Sequence, residues 1–517
     1  MPEIKRLFAG AAAIFMALAA TPLCADPWAK PGDLALRHDI QLLADAGIIR
    51  SPVNTWPIPW ATIAADLAEN GDWPYFRNGN KANPHLLAAR ARVQQRFDEV
   101  RGLRGLQPNA RLAARSDSFW TRTFEETPRE EAEARAGVSW VGDRFAARAQ
   151  ISFAADPKPG DQEWRGDGSY LAAVIGNHIV HAGALDRWWG PSHDDTLILS
   201  SNARPVPGFG LERNVAKPFE TKWLSWLGPW TYSFYWGFLE SNRAVPNARL
   251  TAFRLAFRPI NDLEIGLTRS AQWCGQGRPC GFSTFTDLAL GRDNRGDDDL
   301  TEETEPGNQL AAVDLRWSSP FGTGPWAVYG QAVAEDEAGG FPSRYFAQLG
   351  GETWGAMSNR LFSGQWRAHL EYTNTTVHFY ESDPRYGTAY NHSIYTSGYR
   401  FEGRALGAGV DGDSEVLTAG LLLTEPGERT WNGLLRYGTI NERGNGTGRK
   451  ALHTVSPDEL DFLGLQLSHR RPLRHESLDL GTISVGLGVQ YADNRVTDES
   501  ETDVQAFVQW AWDYSGL

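Results

Sequence analysis

The sequence predicts an all-β transmembrane β-barrel of antiparallel strands with a small helical bundle at its N-terminus. Three observations carry that expectation. The chain opens with the pattern of a cleavable export signal; from residue 137 onward, stretches of about ten residues alternate strictly between apolar and polar; and no later run of about 18 residues is free of charge or Gly/Pro punctuation, as a membrane helix requires. In the clearest stretch, Ile483, Val485, Leu487, Val489 and Tyr491 share one face, and Thr482, Ser484, Gly486, Gly488 and Gln490 share the other. A strand has a side-chain period of two, so each such segment carries one greasy and one wet face. In a barrel that spans lipid the greasy face looks outward and the polar face lines the lumen.

Taken in order, Lys5 and Arg6 precede an apolar run from Leu7 to Ala20, and Leu23-Cys24-Ala25 offers a small residue before Asp26, so residues 1–25 read as a signal peptide cut after Ala25. Cys24 lacks the preceding residues of a lipid-attachment site, leaving Cys274 and Cys280 in the mature chain. With five residues between them in an exported protein, they point to a small disulfide-closed loop rather than a metal site.

Residues 26–105 read as helical. Asp33 caps a helix through Ala46 with Leu36, Ile40 and Leu43 on one stripe and Gly47 as the stop; Trp60 to Leu67 forms a second helix after Pro57 and Pro59. Asn83-Pro84 opens a third and longer helix carrying Leu87, Ala91 and Val100. Such short helices are unstable alone, so they are expected to pack on each other and on one barrel mouth as a periplasmic plug.

Residues 106–517 read as barrel. Alternation marks Phe145 to Phe153, Trp230 to Phe238, Leu263 to Leu267, Val313 to Trp317, Trp326 to Ala332, Gln365 to Thr373, Leu417 to Leu423, Trp431 to Tyr437, Leu463 to Leu467, Thr482 to Tyr491 and Val504 to Trp512. Weaker signals near Leu112, Ala173, Leu199 and Phe253 bring the total to the mid-teens, and a bacterial barrel needs an even number. Arg258 to Asp262 reads as a short turn, and the acidic run from Asp293 to Glu305 reads as a solvated loop, since it lacks the ordered carboxylate spacing and fixed glycine of a calcium loop.

Mean hydropathy of -0.41 excludes a helical membrane bundle but suits a barrel. The formal charge of -13, about -14 once Glu3, Lys5 and Arg6 leave with the signal, argues against nucleic acid as a partner. The 21 Trp, 15 Tyr and 24 Phe suit both membrane-interface girdles and sugar-stacking platforms.

Several segments carry a family resemblance. Asp26-Pro27-Trp28, Pro31 to Gly47 and Thr55 to Trp60 resemble the capsule assembly protein Wzi family; so, more specifically, do Gly183-Ala184-Leu185-Asp186-Arg187-Trp188-Trp189-Gly190-Pro191 and Leu197 to Gly208. The resemblance implies about 18 antiparallel strands in the outer membrane, a periplasmic helical bundle, and a lectin-like anchor that retains capsular or related surface polysaccharide; it implies no enzyme. One departure is the C-terminus, where Trp510 and Trp512 are followed by Asp513-Tyr514-Ser515-Gly516-Leu517 instead of ending on an aromatic residue.

The candidate carbohydrate-binding residues are Asp186, Arg187, Trp188, Trp189, Asn202 and Arg204, because a sugar presents hydroxyls to carboxylate, guanidinium and amide groups and a C–H face to an indole. The competing structural reading puts the two Trp at the membrane interface and Asp186 with Arg187 in an ion pair inside a plugged lumen. A glycosidase pair of Asp186 with Asp194 or Asp195 has nothing but abundance of acids behind it. No serine-esterase elbow, zinc spacing or phosphate-binding loop appears: His178 and His181 read as strand residues, and Gly444 to Gly448 as a hairpin loop. Neither cofactor nor metal is expected, and the partners expected are polysaccharide and membrane lipid, with the protein a monomer. A porin-like channel for sugars or other small solutes stands as the alternative, and the two readings differ in whether the lumen is filled.

Overall fold

The computed structural model describes residues 27–70, 83–102, 105–116, 121–158, 161–289, 307–319, 323–338, 341–360, 362–442, 452–476 and 478–513. The signal-like segment 1–25, the acidic run 293–305 and the Gly-rich 444–448 lie outside them.

Eighteen antiparallel strands close into a barrel. They are β1 (Gly105–Arg115), β2 (Ala132–Val141), β3 (Phe145–Ala155), β4 (Trp164–Arg165 and, after a break, Tyr170–Ile175), β5 (His178–Gly183), β6 (Gly208–Arg213), β7 (Trp230–Phe238), β8 (Arg249–Ile260), β9 (Leu263–Trp273), β10 (Gly307–Ser318), β11 (Trp326–Ala338), β12 (Phe341–Ser358), β13 (Ser363–Asn374), β14 (Glu415–Thr424), β15 (Thr430–Ile440), β16 (Leu460–His475), β17 (Leu478–Asn494) and β18 (Glu499–Asp513). Both pieces of β4 pair with β3, which is why they count as one strand. Closure comes from β18 on β1, with Phe507 opposite Arg115 and Asp513 opposite Asn109. With no free edge, every wall strand has a partner on both sides, the condition for backbone in lipid.

The alternation read from sequence is the alternation of the wall. On β13, Gln365, Arg367, His369, Glu371 and Thr373 are buried in the lumen, while Trp366, Ala368, Leu370 and Tyr372 face out. Leu417, Leu421, Leu435, Leu465, Leu467 and Leu487 form part of a broad exposed apolar belt. On a soluble protein such a belt would be an aggregation hazard; here it is the lipid-contacting surface. Trp140, Trp326 and Trp431 ring one end of it.

The two ends differ. At one, apart from the connection 214–229, turns are two to seven residues long; at the other, the connections 184–207 and 375–414 are far longer. The helices α1 (Leu34–Asp45), α2 (Trp60–Glu69) and α3 (Pro84–Gly102) enter from the short-turn end, and a fourth helix, α4 (Phe282–Ala289), follows β9. Asp33 caps α1 through its side chain, which accepts the Leu36 N–H at 3.0 Å. The three N-terminal helices share a core of Ile40, Leu43, Ile63, Leu67, Ala89 and Val93. The buried stripe of α3 is therefore Ala89 and Val93 instead of Leu87 and Ala91, and Ala91 is exposed. That helix is weakly amphipathic, so its sequence left the register open.

Two further expectations need correction. Leu199 belongs to no strand: with Leu197 and Ile198 it sits in the main lumenal core. Arg258 is part of β8, not a turn, and its guanidinium points inward to donate to the Ile49 and Ser51 carbonyls at 3.0 and 3.3 Å. A bulge between Phe257 and Ile260 precedes the actual turn at Asn261-Asp262.

Candidate functional site

Wall charges that face a lumen need partners, because an unpaired buried charge costs several kcal/mol. Part of that supply comes from α1. Asp45 accepts from Arg316 at 2.6 and 3.1 Å and from Arg367 at 3.4 Å, while Glu352 bonds both guanidiniums. The rest comes from the segment 184–207, which descends from the long-loop end. Its Trp188 and Trp189 pair antiparallel with Trp56 and Thr55 of the N-terminal region, so the loop and the helical bundle meet inside the barrel. Ser192 Oγ donates to Gln348, His193 bonds Glu352 at 2.8 Å, and Glu371 accepts the backbone N–H groups of His193 and Asp194 at 2.6 and 2.9 Å. Asp194 then meets Arg436 at 2.5 Å. Leu197, Ile198 and Leu199 pack with Tyr390, Tyr399 and Leu406 of the connection 375–414.

Five of the six candidate sugar-binding residues are locked in this interior. Arg187 is 5% exposed, its guanidinium lies 3.7 Å from the Tyr235 ring centroid, and it donates to the Leu185 carbonyl. Trp188 is fully buried edge-on to Phe124, with its indole N–H on the Ser192 carbonyl; Trp189 is buried beside it. Neither lies at the membrane interface. Asn202 donates to the Ala405 carbonyl at 3.0 Å, and Arg204 is clamped by Asp167 and Asp161. Asp186 differs: its side chain is 38% exposed and pairs at 3.1 Å with Arg129 instead of Arg187. With Arg111, Glu126, Arg129, Glu133 and Arg135 it lines a polar cavity of about 440 Å³ that runs between the helical bundle and the wall at β1–β3, β17 and β18.

Asp194 and Asp195 do not form a catalytic pair with Asp186. Asp194 is spent on Arg436 and Thr418, and Asp195 accepts the N–H groups of Gly409 and Thr196. His178 and His181 are strand residues of β5, the first bonded to the Tyr232 hydroxyl at 2.8 Å. Among the described residues no cluster of His, Cys, Asp and Glu could hold a metal ion. Cys274 and Cys280 are joined, with their Cα atoms 4.5 Å apart, just after β9.

A surface that sequence reasoning passed over lies on the connection 375–414. The chain pairs Val377 with Arg385, raising a tight loop in which His378, Phe379 and Tyr380 gather their rings at 5.4 to 6.0 Å, with Glu381, Asp383 and Arg385 beside them. Tyr380 is 58% exposed. The signal was present: His378-Phe379-Tyr380-Glu381-Ser382-Asp383-Pro384-Arg385-Tyr386 puts aromatic rings next to both charge signs in a long inter-strand segment.

Residues 105–506, most of the chain, match the family described as capsule assembly protein Wzi. The chain belongs to this family. A relative from Klebsiella pneumoniae, an uncharacterized 55.8 kDa protein in the cps region, is 31% identical over 324 residues, 60% of this chain; the match spans 59% of that relative's length. The solved structure of Wzi from Escherichia coli, described as an outer membrane protein involved in group 1 capsule assembly and a carbohydrate-binding β-barrel, matches with TM-score 0.77 over 93% of this chain and 98% of that one. At 24% identity this shows a shared fold. The protein is thus an outer-membrane barrel of the Wzi family, with a lumen occupied by its own chain.

Proposed function

We propose that the protein is a surface anchor for capsular or related polysaccharide, which it binds as a monomer without turnover, with helices α1–α3 on the periplasmic side and the long connections outside. The occupied lumen carries this reading. A solute channel needs a continuous water path, whereas here Leu197–Leu199, Trp188, Trp189 and the Arg316–Asp45–Arg367 network take up the interior. The capsule-related relatives supply the ligand class, and short turns at the helical end supply the orientation.

On this reading Arg187, Trp188, Trp189, Asn202 and Arg204 act by holding the connections 184–207 and 375–414 in shape. Direct sugar contact falls to exposed groups such as Tyr380, Asp383 and Arg385, which offer a ring face, an acceptor and a charged donor. Long polysaccharides bind by many weak contacts, so binding should tolerate salt better than bulk charge attraction does.

Tyr380→Ala should weaken binding of purified polysaccharide by a few-fold to about tenfold, the worth of one lost ring contact of roughly 0.5–1.5 kcal/mol, and leave the barrel heat-modifiable. Unchanged binding in both Tyr380→Ala and Arg385→Ala would remove this loop from the site. A steady ohmic conductance of the purified protein in a planar bilayer would overturn the anchor in favour of the channel.

A further inference from the structure

The connection 214–229, between β6 and β7, breaks the rule of its end of the barrel. Every other turn there has two to seven residues, and this one has sixteen. Its first residues, Asn214 to Ala216, are held by Thr62 of α2, Ser51 and Asn177, with Asn214 and Ala216 buried, but the rest does not fold into the lumen. Phe257 belongs to the outward row of β8, on which Phe253 is 45% exposed, yet Phe257 is only 8% exposed. Trp226 covers it, edge-on at 6.5 Å. The connection therefore folds back over the outer, lipid-side wall.

Its chemistry fits that position. Trp223 is 86% and Trp226 63% exposed, with Leu224 exposed between them. Phe219 stacks on Trp230 at 4.5 Å, and Trp230, Tyr232 and Phe253 continue the aromatic row onto the barrel belt. Two of the seven lysines in the chain, Lys217 and Lys222, stand on this short segment against a single acid, Glu220. Lys217 lies 3.9 Å from Glu69 of α2, both highly exposed, and Lys222 makes no ion pair among the described residues. Part of the backbone bonds within the segment: Leu224 and Ser225 donate to Thr221, Leu227 to Leu224, and Gly228 to Ser225. Gly228 has φ 66°, and a Cβ there would collide with the Arg258 carbonyl, so the tight return to the wall requires glycine. Indole rings favour the headgroup boundary, lysines reach from there to phosphate, and internal backbone bonds lower the cost of that depth.

We propose that residues 217–229 form a foot embedded in the lipid headgroup boundary at the short-turn rim, where Trp223, Leu224 and Trp226 insert beside the barrel and Lys217 and Lys222 bind anionic phospholipid. The occupant follows from continuity with the lipid-facing belt and from the excess positive charge of the segment in an otherwise acidic protein. The foot fixes the depth and tilt of the barrel at one point of its rim.

The test uses the full chain refolded into vesicles of phosphatidylcholine with or without phosphatidylglycerol. A nitroxide is attached at Trp223→Cys, or at Leu224→Cys if the first variant fails to insert, with Asp498→Cys on the β17–β18 turn as the solvent-facing control. The ratio of oxygen to nickel-chelate collisions at the foot should exceed the control at least fivefold. A ratio equal to the control would overturn the foot. Lys217→Glu with Lys222→Glu should lower the ratio at least twofold in vesicles containing phosphatidylglycerol and leave it unchanged in phosphatidylcholine alone. Equal ratios for native and charge-reversed chains in both lipids would overturn the assignment to anionic phospholipid.

Discussion

Strand β13 and the segment 184–207 touch each other inside the barrel, yet opposite rules built them. β13 has two environments, lipid and lumen, so its residues alternate: Arg367, His369 and Glu371 face in, and Trp366 and Leu370 face out. The segment 184–207 has one environment, the interior, and shows no period: Leu197, Ile198 and Leu199 are consecutive and all buried. The difference teaches where specificity resides. The wall supplies a generic surface of inward charges, and the filler decides which are matched, as when Glu371 accepts two successive N–H groups and Glu352 takes His193. This barrel, inside-out relative to a soluble protein, holds a second, ordinary protein core within it.

That contrast can be broken from the filler side. Trp188→Ala removes a fully buried indole at the point where loop and helical bundle meet, and should cost about 3–5 kcal/mol of local order. Hydrogen exchange should rise across 184–207 and around Trp56 while the barrel stays heat-modifiable. Were protection there unchanged, filler and bundle would not be one cooperative unit.

Asp45→Ala probes the charge matching and should do less. Arg316 and Arg367 lose one carboxylate but keep Glu352, so the penalty should fall near the lower end of a broken buried pair, about 3 kcal/mol. Protease sensitivity of α1–α3 in the inserted protein measures it. If the helices stay fully protected, their apolar core, not the ion network, holds them.

The smallest effect is a dependence on pH. Burial pushes the Asp413 carboxyl up to about 7, helped by nearby Asp411 and Glu442 against the Gly387 N–H that it accepts at 2.6 Å. A carboxyl raised above its unfolded value of about 4 makes the ordered connection hold more protons than the unfolded chain between those values. Order in 375–414 should thus fall as pH rises from about 4 to 7 and level off above. Asp413→Asn should flatten that part of the profile, read by hydrogen exchange at several pH values; an identical profile in the variant would assign the dependence to another group.

Much of the wall was readable because each strand repeats a two-residue instruction: the stretch Trp230 to Phe238 has the same ends in sequence and structure. The α1 cap at Asp33 was readable for a similar reason, since capping is local. The register of α3 was not, because Ala89 and Val93 are chosen by what α1 and α2 present to them. The site followed the same division. Asp186 to Trp189, Asn202 and Arg204 stood out for their chemistry, but composition does not say whether an Arg or Trp faces a ligand or its own chain. Tyr380 and Arg385 went unremarked because their exposure depends on the pairing of Val377 with Arg385 and not on any repeat.

The sequence by itself determined a lipid-facing barrel and a helical N-terminal region, since those rest on periodicity, hydrophobicity and capping, each written within a few neighbouring residues. The tertiary structure alone decided that the lumen is filled, that Asp186 meets Arg129, that Arg187 is given to Tyr235 and that residues 217–229 turn outward over Phe257. Those outcomes depend on which distant segments share a volume, and in a closed barrel the available volume is set by all eighteen strands together.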